Sequence, residues 1–174
     1  MALDSSSLLL AITGSESAAL DFTTPLAPIA KTYQLLYATG TGAGAADRIW
    51  TDQRTIAASG TDDLDLAGVL VGAFGQTVTF ARIRAMVIQA AAGNTNNVIV
   101  GNAASNGFVT WVGGATHTIT IRPGGLFVLA NSGPGSADAT GYAVTAGTGD
   151  LLRIANSGAG TSVTYDIYLI GASA

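Results

Sequence analysis

The chain consists of short runs rich in Val, Ile, Thr, Phe and Tyr, which clusters of Gly and Asn interrupt at intervals of about 8–15 residues. Runs of this length are typical of β-strands, and the interrupting residues are typical of turns. We predict strands at 32–37, 47–57, 63–67, 77–90, 97–101, 108–112, 116–122, 126–130, 141–145, 151–156 and 162–170. The only helix candidate, 61–74, contains several glycines, so a strand followed by a loop is favoured there. The sequence therefore predicts an all-β protein.

Strands of this number in 174 residues indicate one domain built from two sheets. We predict a single β-sandwich of jelly-roll type over residues 31–174, with another kind of β-sandwich as the nearest alternative. The run 162–170 alternates clearly, with Val163, Tyr165, Ile167 and Leu169 on one face. In the run 77–90 the apolar residues change phase, which predicts a β-bulge near residues 81–82.

Residues 1–30 have a different composition, rich in Ser, Ala, Leu and Thr, with two prolines and no sustained period. We predict that they form an extended N-terminal arm outside the sandwich. Its most apolar part contains Leu8, Leu9, Leu10 and Ile12, which need a partner surface in their own domain or in a neighbouring subunit. A frayed tail is the alternative.

Charge is scarce in this chain. Charged residues make up 10% of it, against roughly a quarter in an ordinary soluble domain. Hydrophobic residues make up 48%, and the mean hydropathy is +0.43. Such a chain must cover its surface with small polar residues or bury much of that surface against other subunits. The composition therefore indicates a building block of an assembly.

Several classes of protein are disfavoured by the same composition. A net charge of −4 and scattered arginines argue against nucleic-acid binding, which needs a clustered basic face. The first residues lack a basic region before their apolar stretch, so we predict no signal peptide. Glycines and asparagines break the long uncharged run between Arg84 and Arg122, which argues against a membrane span. Without cysteine there are no disulfides and no thiolate metal sites.

The sequence contains little that indicates catalysis. Its one histidine, His117, is in phase with Ile119 and Ile121, so we predict that it is buried and neutral. Asp138 or Asp150 would be the acid of a Ser/His/Asp triad, but no Gly-x-Ser-x-Gly motif occurs. We therefore expect a protein that is not an enzyme.

Two further features were weighed as ligand sites. Asp62, Asp63 and Asp65 form the one acidic cluster, which is either a solvated strand edge or a weak cation site at a subunit contact. The glycine-rich segment 40–44 superficially resembles a dinucleotide-binding loop, but it leads into a strand rather than a helix. We expect a connector there and no cofactor.

Four residues of the predicted sandwich are candidate contacts with other subunits or with a capsid, in addition to those of the arm. Trp50 and Trp111 either pack in the core or anchor an interface. Arg82 and Arg84 lie on one face of a long strand, where they either meet acidic residues of a neighbour or face solvent.

Between residues 47 and 171 the sequence resembles small structural proteins of tailed bacteriophages. The phrases that carry this resemblance are 54–59 (RTIAAS), 63–68 (DLDLAG), 92–98 (AGNTNNV), 122–125 (RPGG) and 143–152 (AVTAGTGDLL). These phrases are turns and strands rather than an active site. The resemblance implies a virion component, and small all-β virion proteins are often capsid decoration (cement) proteins.

These observations lead to one expectation about function. The chain is expected to be a capsid decoration protein that forms a dimer or trimer and binds the major capsid protein or other virion proteins. It would be assembled into the virion in the host cytoplasm. The alternative is a tail or fibre adsorption or adaptor module that binds host glycans or another virion protein.

Overall fold

The computed structural model describes residues 3–131 and 140–174. Within these residues the chain forms strands and no helix, which confirms the all-β expectation. The strands are β1 (Ser6–Ser17), β2 (Leu26–Thr39), β3 (Ala45–Ala46), β4 (Arg48–Ile56), β5 (Thr61–Asp65), β6 (Leu70–Val71), β7 (Thr77–Val78), β8 (Arg82–Ala90), β9 (Val98–Gly101), β10 (Thr118–Ile121), β11 (Leu126–Ala130), β12 (Tyr142–Ala143), β13 (Leu151–Asn156) and β14 (Val163–Ala172).

Two antiparallel sheets form the body of the molecule. The first sheet has the strand order β11-β8-β14-β4, and the short strand β12 also pairs with β8. The second sheet has the order β10-β9-β13-β5. A three-stranded sheet β1-β2-β3 and a two-stranded sheet β6-β7 accompany them. Because several sheets are present, the finer expectation of a single sandwich of jelly-roll type stays a prediction.

The two larger sheets share one apolar core. Strand β14 shows why: its inward residues Tyr165, Ile167 and Leu169 are fully buried, whereas Asp166 and Tyr168 lie on the opposite face. This confirms the alternation read from the sequence. The buried cluster joins side chains of both sheets, including Trp50, Ile56, Leu64, Met86, Ile88, Val98, Val100, Ile121, Leu152, Ile154, Tyr165, Ile167 and Leu169.

A β-bulge interrupts the pairing of β8 with β14. Ala85 pairs with Ile170 and Ile83 pairs with Gly171, so Arg84 is the extra residue on β8. The bulge brings Ile83 and Met86 to the inner face although their spacing in sequence is odd. It lies slightly beyond residues 81–82, where the sequence places it, and the predicted strand 77–90 is divided into β7 and β8.

The N-terminal residues form half of a long hairpin. Strands β1 and β2 pair in antiparallel register from Ser6↔Tyr37 to Ser17↔Leu26. The loop between them is closed by the amide of Ala18, which donates to the carbonyl of Pro25. The expected arm boundary at residue 30 therefore falls inside β2, and strand β1 finds its partner within its own chain.

Other predicted strands fare unequally. Strands β11 and β13 have the predicted bounds, 126–130 and 151–156. The predicted strand 108–112 is wrong, because the connection from β9 to β10 is built from turns. Asn102 and Asn106 adopt positive φ there, and the Val112 amide bonds back to the Val109 carbonyl.

Candidate functional site

The hairpin of β1 and β2, here called the hairpin arm, stands out from the rest of the chain. Every residue from 9 to 34 is exposed. Nine residues of β1 beyond Leu8 span about 30 Å at the usual rise of a strand. An isolated two-stranded ribbon is marginally stable in water, and the described residues outside the arm do not cover it between residues 9 and 34.

Register gives the hairpin arm two unlike faces. Directly paired residues point to the same side of an antiparallel ribbon, so Leu10 lies beside Tyr33, and Ile12 beside Lys31. The face that they share, here called the apolar face, is about half exposed at Ile12 (51%) and Tyr33 (53%). Its residues are Leu8, Leu10, Ile12, Gly14, Glu16, Ala27, Ile29, Lys31, Tyr33 and Leu35.

The opposite face of the hairpin arm is mostly small or polar. It carries no charged residue, and Leu9, Leu26 and Leu36 are its large apolar side chains. Its remaining residues are Ser7, Ala11, Thr13, Ser15 and Ser17 on β1 and Pro28, Ala30, Thr32 and Gln34 on β2. The apolar face therefore has the larger number of large apolar side chains, and it also carries both charged residues of the arm, Glu16 and Lys31.

The base of the hairpin arm is fastened to the first sheet. Leu8 and Leu35, at the start of the apolar face, pack against a small buried cluster of Tyr37, Ala46, Ala85 and Ile170. The Tyr37 hydroxyl donates to the carbonyl oxygen of Asn131 at 2.9 Å and lies 3.3 Å from that of Arg84. Burial raises the pKa of Tyr37 to about 12. The arm is therefore anchored at its base to the outer face of the first sheet through side chains, while its strands belong to a separate sheet.

The apolar surface continues from the hairpin arm onto the outer face of the first sheet. Pairing places Thr51, Tyr168, Val87 and Val128 in one row across the four strands. Tyr168 is 46% exposed, and Leu126, in the next row, is also exposed. Among the described residues, register places two incompletely buried charged side chains on this outer face. They are Asp166, whose carboxylate accepts a hydrogen bond from Gln53 at 2.8 Å, and Arg82 at the start of β8.

The structure places the predicted contact residues in different environments. Leu9, Leu10 and Ile12 are exposed on the hairpin arm, while Leu8 is half-buried at its base. Sequence reasoning therefore singled out the first strand of the arm. It did not name residues of the second strand of the arm as contacts, although Ile29, Tyr33 and Leu35 alternate there with small or polar residues.

Two expectations of contact residues need correction. Trp50 is 3% exposed in the shared core, and its Nε1 donates to the Val71 carbonyl at 3.0 Å. Arg84 is fully buried at the bulge, where it donates to the carbonyls of Ala45 (3.0 Å) and Gly42 (2.8 Å). Both side chains are thus enclosed by their own chain and offer no surface to a neighbour.

Trp111 and Arg82 are intermediate cases. Trp111 is half-buried, donates to the Phe108 carbonyl at 2.8 Å, and has its ring centroid 5.7 Å from that of Phe127. Arg82 is partly exposed at the start of β8. These two residues retain some exposed surface, and their role as contacts stays a prediction.

The acidic cluster is divided among separate partners. The Arg54 guanidinium holds Asp62 with two hydrogen bonds, and Arg153 holds Asp63 with two at 2.7 Å. The Asp65 carboxylate instead accepts from the backbone amide of Ala67 at 3.0 Å. The hydrogen bond to Arg153 lowers the pKa of Asp63. Among the described residues there is no group of three or more His, Cys, Asp or Glu side chains that could hold a metal ion.

A polar cleft of about 380 Å³ lies beside Asp62, between β4 and β5. The buried Tyr165 hydroxyl donates to the Asp62 carboxylate at 2.8 Å. Burial and the neighbouring Asp62 raise the pKa of Tyr165, and hydrogen bonding to Asp62 raises the pKa of Arg54. The cleft is lined by the charged side chains of Asp52, Arg54 and Asp62 and by Thr55 and Thr61, and Tyr165 holds Asp62 from the buried side.

The prediction that His117 is buried is wrong. His117 is exposed in the turn before β10, where its ring lies close to Gly113 and Gly114. Strand β10 starts only at Thr118, and among its residues only Ile121 is buried, so the core does not reach His117. No side-chain hydrogen bond joins His117 to a serine or an aspartate in 3–131 and 140–174, and Asp138 lies outside the described residues.

In the described part of the chain, no helix has the length and apolar character needed to span a membrane. Comparison with protein-family models, with curated proteins and with solved structures found no match to this chain.

Proposed function

We propose that this chain is a non-enzymatic structural protein of a bacteriophage virion, most specifically a capsid decoration protein that self-associates and binds the outer shell. The observation that carries the proposal is the hairpin arm, whose residues 9–34 are all exposed and whose apolar face, beyond Leu8 and Leu35 at its base, is left uncovered by the described part of the chain. A surface of this kind is stable when neighbouring subunits cover it.

We further propose that the body is a jelly roll. Eight strands are numbered here in chain order: β4, β5, β8, β9, β10, β11, β13 and β14. The first pairs with the eighth, the second with the seventh, the third with the sixth, and the fourth with the fifth. This is the pairing of one long hairpin, and the β14-β8 and β13-β9 pairs divide it into two four-stranded sheets. Such double-sheet rolls occur in viral capsid and lectin domains, which supports a virion role.

The proposed mechanism uses area and repetition rather than catalysis. The partners are the major capsid protein or other virion proteins and further copies of the same chain, arranged as a dimer or trimer. Each copy contributes an apolar ribbon and a sheet face with few charges. Repetition around a closed shell converts modest single contacts into high avidity. Assembly would take place in the host cytoplasm and end in the virion.

A second candidate is an adsorption module of the tail or fibre that binds host glycans. The observation that favours it is the polar cleft beside Asp62, because carboxylates, guanidinium groups and hydroxyls are suited to hydrogen-bond sugar hydroxyls. Lectin domains also use jelly rolls. Against this candidate, Trp50 is buried and Trp111 half-buried, so neither presents a full aromatic face to a sugar.

Sedimentation with viral shells separates the two candidates. The purified chain is mixed with empty heads of the phage that encodes it, and in parallel with host cells and purified host polysaccharide. A decoration protein saturates the heads at a near-stoichiometric ratio and leaves cells and polysaccharide unbound. Binding to cells or polysaccharide alone would favour the adsorption module, and binding to none of the three would contradict both candidates.

A further inference from the structure

We propose that the apolar face of the hairpin arm docks on the outer face of the first sheet of a second copy of this chain. This inference rests on the self-association proposed above and specifies its geometry. Each copy offers two different surfaces, so the arm of one copy lies on the sheet of the next. With two copies the contact is reciprocal, and with three it is heterologous and closes into a ring when its rotation is threefold.

The area of the arm is too small for a stable interface by itself. One face of a ribbon about 30 Å long and about 10 Å wide offers on the order of 300 Å². A stable interface buries about 800 Å² on each partner, so a single contact through the arm is too small. In a reciprocal dimer or a closed ring each copy uses both its arm and its sheet face, which brings the area buried on each copy to about 600 Å². Release of one copy then requires both contacts to break.

The apolar face of the arm and the outer face of the first sheet both expose apolar side chains. Tyr168 and Leu126 on the outer face of the sheet are about half exposed, and Val87 and Val128 lie between them. If hairpin arms packed only on one another, this sheet face would stay in water. Docking of arm on sheet covers both apolar surfaces in a single contact.

Lys31 on the arm and Asp166 on the sheet carry opposite charges. The apolar face of the arm carries one cation, Lys31, in the middle of its length, and one carboxylate, Glu16, near its tip. The outer face of the sheet carries Asp166 on the central strand β14, and Arg82 lies on the same face at the start of β8. A Lys31 side chain over the sheet of a neighbour therefore meets a carboxylate, and Asp166 gains a cation in place of water.

Chemical cross-linking tests this geometry, because the chain has no cysteine of its own. Gly14→Cys places a thiol on the apolar face of the arm, where an added side chain meets no atom within 4 Å. Thr51→Cys places another on the outer face of the sheet, beside Tyr168. The two variants carry different tags, are co-expressed and are treated with a short bismaleimide. Ser15→Cys replaces Gly14→Cys in the control, because it lies next in sequence but on the opposite face of the arm.

The expected product is a doubly tagged dimer that forms from Gly14→Cys with Thr51→Cys at several-fold higher yield than from Ser15→Cys with Thr51→Cys. Equal yields from the two pairs would overturn the proposed geometry. Efficient cross-linking of Gly14→Cys with itself, at the expense of the mixed product, would overturn it too and assign the contact to paired arms. Light scattering on the same samples distinguishes the proposals: a stable oligomer without the mixed product refutes only the geometry, whereas a monomer refutes self-association itself.

Discussion

Arg84 and Tyr37 show how single residues link the hairpin arm to the sheet. Arg84 is the extra residue of the bulge in β8, and its guanidinium bonds the carbonyls of the 40–45 connection. Tyr37 reaches the same place from β2 and donates to the Asn131 carbonyl. The bulge thus places a long cationic side chain beneath the 40–45 connection, where backbone oxygens compensate its charge.

Alkaline pH tests the Tyr37 contact. Because burial raises the pKa of Tyr37 to about 12, the unfolded chain loses this proton at lower pH than the folded chain. The contribution of Tyr37 is therefore complete below pH 10 and is lost as the pH rises from about 10 to about 12. We expect Tyr37→Phe to lower the free energy of unfolding by about 1 kcal/mol at pH 8 and by progressively less above pH 10. Urea unfolding at a series of pH values measures this, and a constant difference between the two proteins would contradict it.

Asp62 offers a second test at this scale. Asp62→Ala leaves the buried Tyr165 hydroxyl without its acceptor and leaves the Arg54 guanidinium only its hydrogen bond to Asp52, so we expect a loss of about 2–3 kcal/mol in the free energy of unfolding. Asp52→Ala is the matched control, because the Asp52 side chain is more exposed and makes a single hydrogen bond to Arg54. The control should lose less than about 1 kcal/mol. Equal losses in urea unfolding would show that the buried hydroxyl adds nothing.

At the scale of elements, the hairpin arm is the feature that departs most from an ordinary domain. Edge strands in natural proteins usually carry charges or other features that discourage pairing with another chain. The charged residues of β1 and β2 are Glu16 and Lys31 alone. Pro28 on β2 is compatible with an edge, since it removes one backbone donor opposite Ser15. The arm is therefore well paired internally and poorly protected externally, as expected for an element that is covered after assembly.

The two faces of the arm should respond differently to the same substitution. Ile12→Asp puts a carboxylate on the apolar face, and Thr13→Asp puts one on the opposite face of the same strand. We expect Ile12→Asp to raise the dissociation constant of the oligomer about tenfold or more, because its charge is buried on association. Thr13→Asp should change that constant by less than about threefold, because a charge that stays exposed contributes little to the free energy.

Analytical ultracentrifugation over a concentration series measures both constants. Thermal unfolding at low protein concentration serves as a control, since both sites are exposed in the isolated chain and neither variant should unfold early. Equal effects of the two variants on association would contradict the role assigned to the apolar face.

At the scale of the whole molecule, the scarcity of charge and the pattern of strand pairing describe the same design. The first and last strands of the body, β4 and β14, pair although more than a hundred residues separate them. Such pairing closes the body around one core and leaves the outer sheet face and the hairpin arm as uncovered apolar surface. Association through such surfaces depends on removal of water more than on attraction between charges.

Salt therefore provides a test of the whole assembly. Raising NaCl from about 0.1 M to about 1 M shortens the Debye length from about 10 Å to about 3 Å and weakens contacts between exposed charges. We expect the dissociation constant of the oligomer to stay within about twofold or to decrease, because the proposed contact contains few ion pairs. Light scattering at the two salt concentrations measures this, and dissociation at high salt would indicate an electrostatic interface instead.

The sequence by itself determined the local features of this protein. Short apolar runs between turn residues are a property of neighbouring positions, so the strands 126–130 and 151–156 could be predicted from them. Alternation of apolar and polar residues predicted the inward face of β14. The need of Leu8, Leu10 and Ile12 for a partner surface also followed from composition.

Only the tertiary structure decided what pairs with each strand and what covers each face. Strand β1 lies against β2, Arg84 is turned inward by a bulge, and His117 is left outside the core, because pairing register and the extent of the core depend on residues distant in sequence. The two faces of the hairpin arm emerged for the same reason: they exist only once the register from Ser6↔Tyr37 to Ser17↔Leu26 places Leu10, Ile12, Ile29 and Tyr33 on one side.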